Sequence, residues 1–366
     1  MVLGIDASQA NRKIRSGTEW YAWHLIKEFK KLASGRTDLE VRLYTRDELQ
    51  TDLAQGLPSN FQVKVLTWPL RYFWGQIRLS LEMLFNPPDI LFCPAHTIPF
   101  FHPKKIFTTL HDVGFEDYPE LYTKLSLWYH RWASSHAVKS ATRIFTVSEF
   151  SKERIVENYG EELESKIVIT YLAVDNHLSI DKWLSRLEKY GLQKQNYLLY
   201  VGRLEPKKNI LNLTKGYEMS GDQIPLVLAG RKIDISDVET YLADKPELKM
   251  RIKFLGYFDE SDKQALYAGA KLFLFPTLYE GFGLPILEAQ AAGTPVVTSN
   301  TASNPEIAGN GAILVNPDSP HEIGEAINKL VLDENLRGEK IRLGYENVKR
   351  FNWDRTARTT WETFLK

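Results

Sequence analysis

The chain has 366 residues, 43% hydrophobic and 25% charged, a composition typical of folded globular proteins; at roughly 100–200 residues per domain it predicts two domains. Lys+Arg and Asp+Glu both number 46, so no global charge draws the chain to polyanions, and nucleic acid is disfavoured as a main partner. The single cysteine, Cys93, cannot form an internal disulfide and suits a reducing, cytoplasmic setting.

The first residues, Val2-Leu3-Gly4-Ile5, read as a strand and not as a signal peptide. No stretch reaches the ~18 consecutive apolar residues of a membrane span, which predicts a chain that is soluble or attached at a surface. Short β-branched or Leu-rich runs then alternate with segments of helical period, the pattern of an α/β protein with parallel sheets. Strands are expected at Val2–Ile5, Glu40–Tyr44, Val63–Leu66, Asp89–Cys93, Ile106–Leu110, Arg143–Val147 and Lys166–Ile169. The clearest helix is Glu19–Ala33, where Ala22, Leu25, Ile26, Phe29, Leu32 and Ala33 recur at steps of three and four while Lys27, Glu28, Lys30 and Lys31 take the other side. The alternation lapses over residues 172–196, a polar linker with a short helix expected at Asp181–Lys189. A fresh series follows at Tyr197–Val201, Pro225–Ala229, Arg251–Leu255, Leu272–Phe275, Pro295–Thr298 and Ala312–Val315. The expected domains are therefore residues 1–172 and 173–350, each doubly wound and Rossmann-like, with 351–366 crossing back to the first.

Open parallel sheets bind ligands at the carboxyl ends of their strands, so chemistry is expected just after strands. After Leu272–Phe275 comes Glu280-Gly281-Phe282-Gly283-Leu284-Pro285-Ile286-Leu287-Glu288. The glycines let backbone approach a ligand, Pro285 suits a first helical turn, and both carboxylates can accept hydroxyl donors of one polyhydroxylated ligand. The same residues also read as a capped helix with two surface glutamates. After Tyr197–Val201 comes Gly202-Arg203-Leu204-Glu205-Pro206-Lys207-Lys208-Asn209. Arg203 can grip phosphate oxygens bidentately and Lys208 adds a point charge, although two basic residues near a turn are often only solvated. Gly17, ahead of the first helix, admits phosphate to the backbone or simply makes a turn. His111-Asp112 follows the strand ending at Leu110, where a histidine donates to a substrate hydroxyl or stabilises developing charge; a core histidine is the alternative.

Taken as a set, these residues resemble retaining glycosyltransferases of family 4, which have the GT-B fold of two facing Rossmann-like domains around a central crevice. The resemblance covers nearly the whole chain and is densest over residues 197–317. It is carried by the Glu, seven residues, Glu spacing of Glu280 and Glu288; by Gly202, Arg203, Leu204, Lys208 and Asn209; by Gly17 and the His111-Asp112 pair; by the Val147–Ser151 turn; and by Phe254-Leu255-Gly256-Tyr257 and Asn304–Gly309. One glycine, Gly17, stands where relatives often have two, which puts one phosphate contact in doubt.

The resemblance implies a hexosyltransferase that needs no metal and no cofactor beyond its nucleotide-sugar co-substrate, GDP-mannose being the first expectation and UDP-sugars the next. Arg203 and Lys208 would neutralise the leaving diphosphate. Gly17, Gly202 and the Gly281–Leu284 backbone, with Phe282 and Gly283 between, would line it. Glu280 would hold the transferred sugar, Glu288 the ribose, and Leu255 and Tyr257 the base. His111 would position the sugar near the reacting carbon, with no covalent intermediate assigned. Acceptors implied are glycans, lipid-linked sugars or small molecules, in polysaccharide biosynthesis. Two rivals remain: a glycoside hydrolase using Glu280 and Glu288, which leaves the cations without a task, and a non-catalytic sugar-nucleotide-binding module, distinguishable by nucleotide binding without turnover. Two acid-free stretches, residues 53–81 and 121–148, mix cations with aromatics and suggest peripheral contact with the inner membrane face. Against that, Leu121, Leu125, Trp128 and Trp132 share one helix face, which predicts that they point into the core.

Overall fold

In a computed structural model, residues 1–70, 72–174 and 184–366 are described, and they form two compact units, Met1–Leu172 with Asn352–Lys366, and Ala173–Phe351. The first unit carries a sheet of β1 (Val2–Asp6), β2 (Glu40–Thr45), β3 (Phe61–Val65), β4 (Ile90–Cys93), β5 (Lys105–Thr109), β6 (Arg143–Thr146) and β7 (Ile167–Ile169) in the order β3-β2-β1-β4-β5-β6-β7. Every pairing is parallel. The second unit carries β8 (Leu198–Val201), β9 (Leu226–Ala229), β10 (Ile252–Gly256), β11 (Leu272–Phe275), β12 (Val296–Ser299) and β13 (Ala312–Val315), also all parallel, in the order β10-β9-β8-β11-β12-β13. Each expected strand is present within two residues at either end. The central strands are legible because helices cover both faces: Leu-Leu-Tyr-Val of β8 and Leu-Phe-Leu-Phe of β11 are buried at all positions, which demands apolar runs instead of alternation.

The helices that matter below are α1 (Gly17–Ala33), α2 (Lys124–Ser140), α3 (Lys263–Gly269), α4 (Leu284–Ala291) and α5 (Trp353–Leu365). Helix α1 starts at a capping box in which the Ser16 backbone N–H donates to Glu19, satisfying donors that the first turn leaves free. It buries Leu25, Ile26 and Phe29, the face read from their spacing, but Glu28 and Lys30, expected on the outer side, are buried too, Lys30 because its ammonium donates to the Leu53 carbonyl and to Gln55 O at 3.0 Å. The last helix, α5, packs on it: Trp353 stacks on His24 at 4.4 Å, and Trp361 and Phe364 meet Phe29 at 5.3 and 5.9 Å. Thr356 Oγ1 donates to the Tyr171 carbonyl at 2.5 Å. Of the helix expected at Asp181–Lys189, the structure shows Leu184–Glu188 as helical; residues 181–183 lie outside the described residues.

Helix α2 corrects one expectation. Its buried residues are Ala133, Ser134, Ala137 and Val138, while Leu125 and Trp128 are 76% and 62% exposed and Leu121, just before the helix, is 41% exposed. A stripe at helical spacing identifies a face but not its partner. Here the small residues let the helix approach the core closely, and Leu125 and Trp128 face outward. The segment before β4 holds a second departure: Trp74–Leu79 is π-helical, entered through Phe73 at φ 66°.

Candidate active site

The order of strands reverses between β8 and β11, and the two loops that leave the carboxyl ends of these neighbours carry the candidate donor residues, as such a reversal leads one to expect. The loop after β8 is folded tightly. The Gly202 N–H donates to Ala229 O at 3.0 Å, and a Cβ at Gly230 would lie 1.9 Å from the Gly202 carbonyl oxygen; no other residue than glycine fits at position 230, where φ is also 144°. Buried Tyr200 donates its hydroxyl to Arg203 O at 3.1 Å. Asn209 ends the loop in the left-handed conformation, φ 59°, and its buried amide donates to Pro276 O at 2.9 Å and Pro317 O at 2.7 Å. One side chain thus ties the loop after β8 to those after β11 and β13. The Leu278 N–H donates to Lys207 O at 3.1 Å, a further tie between the first two.

This bracing brings Lys208 to Glu280: Nζ and Oε1 are 2.6 Å apart, with 12% and 13% of the side chains exposed. Ser303 Oγ donates to the Glu280 carbonyl at 2.8 Å. Lys208 has three donors, so an oxyanion can share the ammonium. Arg203 is elsewhere on the same loop, 63% exposed and paired with Glu205 at 3.2 Å. Gly283 caps α4 in the left-handed region at φ 88°, and a Cβ there would stand 2.9 Å from Asn304 Oδ1. That oxygen is buried without a hydrogen-bond partner. Gly281 and Phe282 are buried; the Phe282 ring meets Phe351 edge-on at 5.8 Å, so what this segment can offer a ligand is backbone. Leu284 opens α4, and Glu288 lies one turn further, as its position in the sequence predicts.

Glu288 has partners that the sequence did not disclose. Lys263 Nζ lies 2.7 Å from Oε1, and Tyr267 donates its hydroxyl to Oε2 at 2.9 Å. Both come from α3, whose i, i+4 spacing sets them on one face. Burial pushes the Tyr267 phenol far up, so it stays a neutral donor. Leu255 and Tyr257 flank Gly256 at the end of β10; Leu255 is half-buried and Tyr257 71% exposed.

In the first unit, His111 is 8% exposed and its Nε2 lies 3.0 Å from the Pro94 carbonyl. A carbonyl only accepts, so Nε2 carries a proton, and burial holds the ring's pKa below the usual histidine value. The ring is therefore neutral near pH 7, with Nδ1 as a bare acceptor. This corrects the expectation that His111 donates to a sugar hydroxyl: it can accept one. Tyr21 of α1 meets it edge-on at 4.8 Å, and His96, pushed by burial to about 4, lies 5.6 Å away. Ser151 Oγ donates to His111 O at 3.1 Å, which gives the Val147–Ser151 turn its structural part. Gly17 opens α1 with nothing within 4 Å of where a Cβ would project; the position is open, and neither conformation nor crowding requires glycine.

The sequence matches the family Glycosyltransferase Family 4 over residues 15–178 and Glycosyl transferases group 1 over residues 185–346. It is 34% identical over 302 residues to O-antigen chain mannosyltransferase B of Escherichia coli, covering 81% of this chain and 77% of that one. The chain belongs to glycosyltransferase family 4. A second relative of this glycosyltransferase, O-antigen chain mannosyltransferase RfbU of Salmonella typhimurium, is 29% identical over 279 residues, 76% of this chain and 74% of the other. Its fold matches Anabaena HepE, solved with UDP and glucose, at TM-score 0.74 and 18% identity over 100% and 99% of the chains. It matches WaaG, a glycosyltransferase involved in lipopolysaccharide biosynthesis, at TM-score 0.75 and 17% identity over the same shares. The fold of this glycosyltransferase is GT-B, with one Rossmann-like sheet in each unit. No helix among the described residues is long and apolar enough to cross a membrane.

Proposed function

We propose that this glycosyltransferase moves mannose from GDP-mannose to a growing glycan, with retention of anomeric configuration and without a metal ion. The observation that carries the reading is the Lys208–Glu280 pair at 2.6 Å, a cation and an acceptor held together at the point where strand order reverses. When the sugar–phosphate bond breaks, negative charge develops on the leaving diphosphate. Lys208, joined by the exposed Arg203, which is paired with Glu205 at 3.2 Å, neutralises it; positioned charge of this kind is commonly the largest contribution to such catalysis. Glu280 then accepts hydroxyl hydrogen bonds from the transferred sugar. Glu288, fixed at both oxygens by Lys263 and Tyr267, keeps lone pairs for the ribose hydroxyls. Neutral His111 accepts a sugar hydroxyl at Nδ1. Mannose rests on the names of the two O-antigen relatives and guanine on the family resemblance of the sequence alone; the HepE complex with UDP makes uracil the base to test beside guanine.

The hydrolase reading is weaker. A glycosidase needs one protonated carboxylic acid, kept so by an apolar pocket, whereas Glu280 and Glu288 each face a lysine ammonium. Peripheral membrane contact through the first unit belongs to the proposal. Trp128 and Leu125 on α2, and Phe100 beside them, are exposed, and α2 carries Lys124, Arg131 and Lys139 with no acidic residue. Phe100 packs on Trp132 at 5.4 Å, so these groups form one patch of apolar and cationic side chains suited to an anionic lipid surface.

Thermal unfolding with GDP, UDP and ADP tests the donor assignment. A diphosphate that binds only the folded chain, at ~100 times its Kd, adds about 2.7 kcal/mol of stability. GDP is expected to raise Tm most, and the product formed from GDP-mannose is expected to keep the α configuration. No shift with any of the three, or an inverted product, contradicts the proposal.

A further inference from the structure

The loop that leaves β12 lies against the loop that leaves β11 and holds it by side chains at alternate positions. Ser299 donates its hydroxyl to Thr277 O at 2.7 Å, Thr301 to Leu278 O at 3.4 Å and Ser303 to Glu280 O at 2.8 Å. Asn304, fully buried, adds two bonds: its amide donates to Thr277 Oγ1 at 3.1 Å and to Ser299 Oγ at 2.6 Å. The Ser299 proton is already directed at the Thr277 carbonyl, so its oxygen accepts from Asn304, and this fixes which way the amide points. Oδ1 is left facing Gly283, buried and without a hydrogen-bond partner.

That oxygen is one of two features that stability alone does not explain. The other is Ala302, which holds φ 54°, in the left-handed region that a residue with a Cβ occupies at a cost. A connection needed only to lead from β12 into the short helix Asn304–Ala308 would be served better by glycine at 302 and an apolar side chain at 304. Unpaired buried acceptors and left-handed backbone both lower stability, and they concentrate where the surroundings hold a functional group in place. What is held here is Glu280. Its carboxylate is fixed by Lys208 at 2.6 Å and its main chain by Ser303, while the far end of the same segment, Gly283 at φ 88°, abuts Asn304.

We propose that Ser303 and Asn304 are positioning residues for sugar transfer: they keep the segment Glu280–Gly283 in the shape at which the Glu280 carboxylate meets the hydroxyls of the transferred sugar, and they act through Glu280. The inference rests on the donor reading and adds the residues that make its sugar contact rigid.

Isothermal titration of the full chain with GDP-mannose and with GDP tests it, on Ser303→Ala and Asn304→Leu, each alone and combined with Glu280→Gln. Asn304→Leu nearly conserves volume and removes the unpartnered oxygen; Ser303→Ala, which removes one hydroxyl, carries the test should the other variant fail to fold. Each is expected to weaken GDP-mannose binding roughly tenfold with GDP binding unaltered, because GDP has no sugar for Glu280 to hold. In the Glu280→Gln background the further loss is expected to be less than about twofold, the non-additivity of residues that act through one group. Equal losses in both backgrounds, or a matching loss of GDP affinity, mark a merely structural role and overturn the inference, as does GDP-mannose affinity unchanged in both single variants. A native chain that binds neither ligand removes the donor reading instead.

Discussion

Lys208 and Glu280 are each other's partners at 2.6 Å, so on the proposed function the charge of Lys208 serves stability and catalysis together. Lys208→Ala leaves a mostly buried carboxylate uncompensated, which is costly in its own right; Lys208→Gln keeps a donor for Glu280 and removes only the positive charge. We expect Lys208→Gln to lower kcat by about 10²–10³, the loss typical when one oxyanion-stabilising group is removed, with donor KM little changed. If Glu288 holds the ribose as proposed, Glu288→Ala should instead raise donor KM with a smaller effect on kcat. Steady-state kinetics on both variants checks the division; equal effects on both parameters in both variants would contradict the assigned roles. At this scale the sequence was informative about residues that follow strands, Glu280, Glu288, Lys208 and His111 among them. It was silent about Lys263 and Tyr267, which reach Glu288 from a separate helix, and about the His111 tautomer, which depends on the Pro94 carbonyl. Gly230 and Asn209 were legible in part: a glycine just after a strand and an asparagine before a helix are signals of close approach and of left-handed backbone, yet only the packed loops show what each accommodates.

Among the elements, strands were the easiest to read because burial on both faces imposes continuous apolar runs; the apolar face of α1 was read from its spacing, although Glu28 and Lys30 of its expected outer side are buried. Helix α2 was not, since Leu125 and Trp128 are outside while Ala133, Ser134 and Ala137 are inside, the reverse of the usual pattern. The π-helical segment has no sequence signature, and Phe73 is among the last residues one would assign to a left-handed position. The outward face of α2 leads to a direct expectation: in flotation with vesicles containing anionic lipid, the chain should rise with the vesicles, and Trp128→Ser with Leu125→Ser should abolish this without lowering Tm, because both side chains are exposed in the fold. Failure of the native chain to float with anionic vesicles, or flotation unaffected by the double substitution, would contradict membrane contact through this helix.

At the level of the molecule, the two units repeat one solution. Each is a parallel sheet with a reversal of strand order, β1 against β4 and β8 against β11, and each collects its polar side chains at the carboxyl ends of those strands. The second unit assembles cations and carboxylates; the first has the neutral His111. The last helix returns to the first unit through Asn352, whose side chain caps α5 by accepting from the Asp354 and Arg355 N–H groups, so the chain begins and ends in the same unit. The central claim is that positive charge in the second unit receives the diphosphate as the sugar leaves. A crystal structure of the chain with bound GDP tests it most directly: the account predicts the β-phosphate within hydrogen-bond reach of both Lys208 and Arg203, with Glu288 on the ribose, and a diphosphate bound away from those two cations would contradict it.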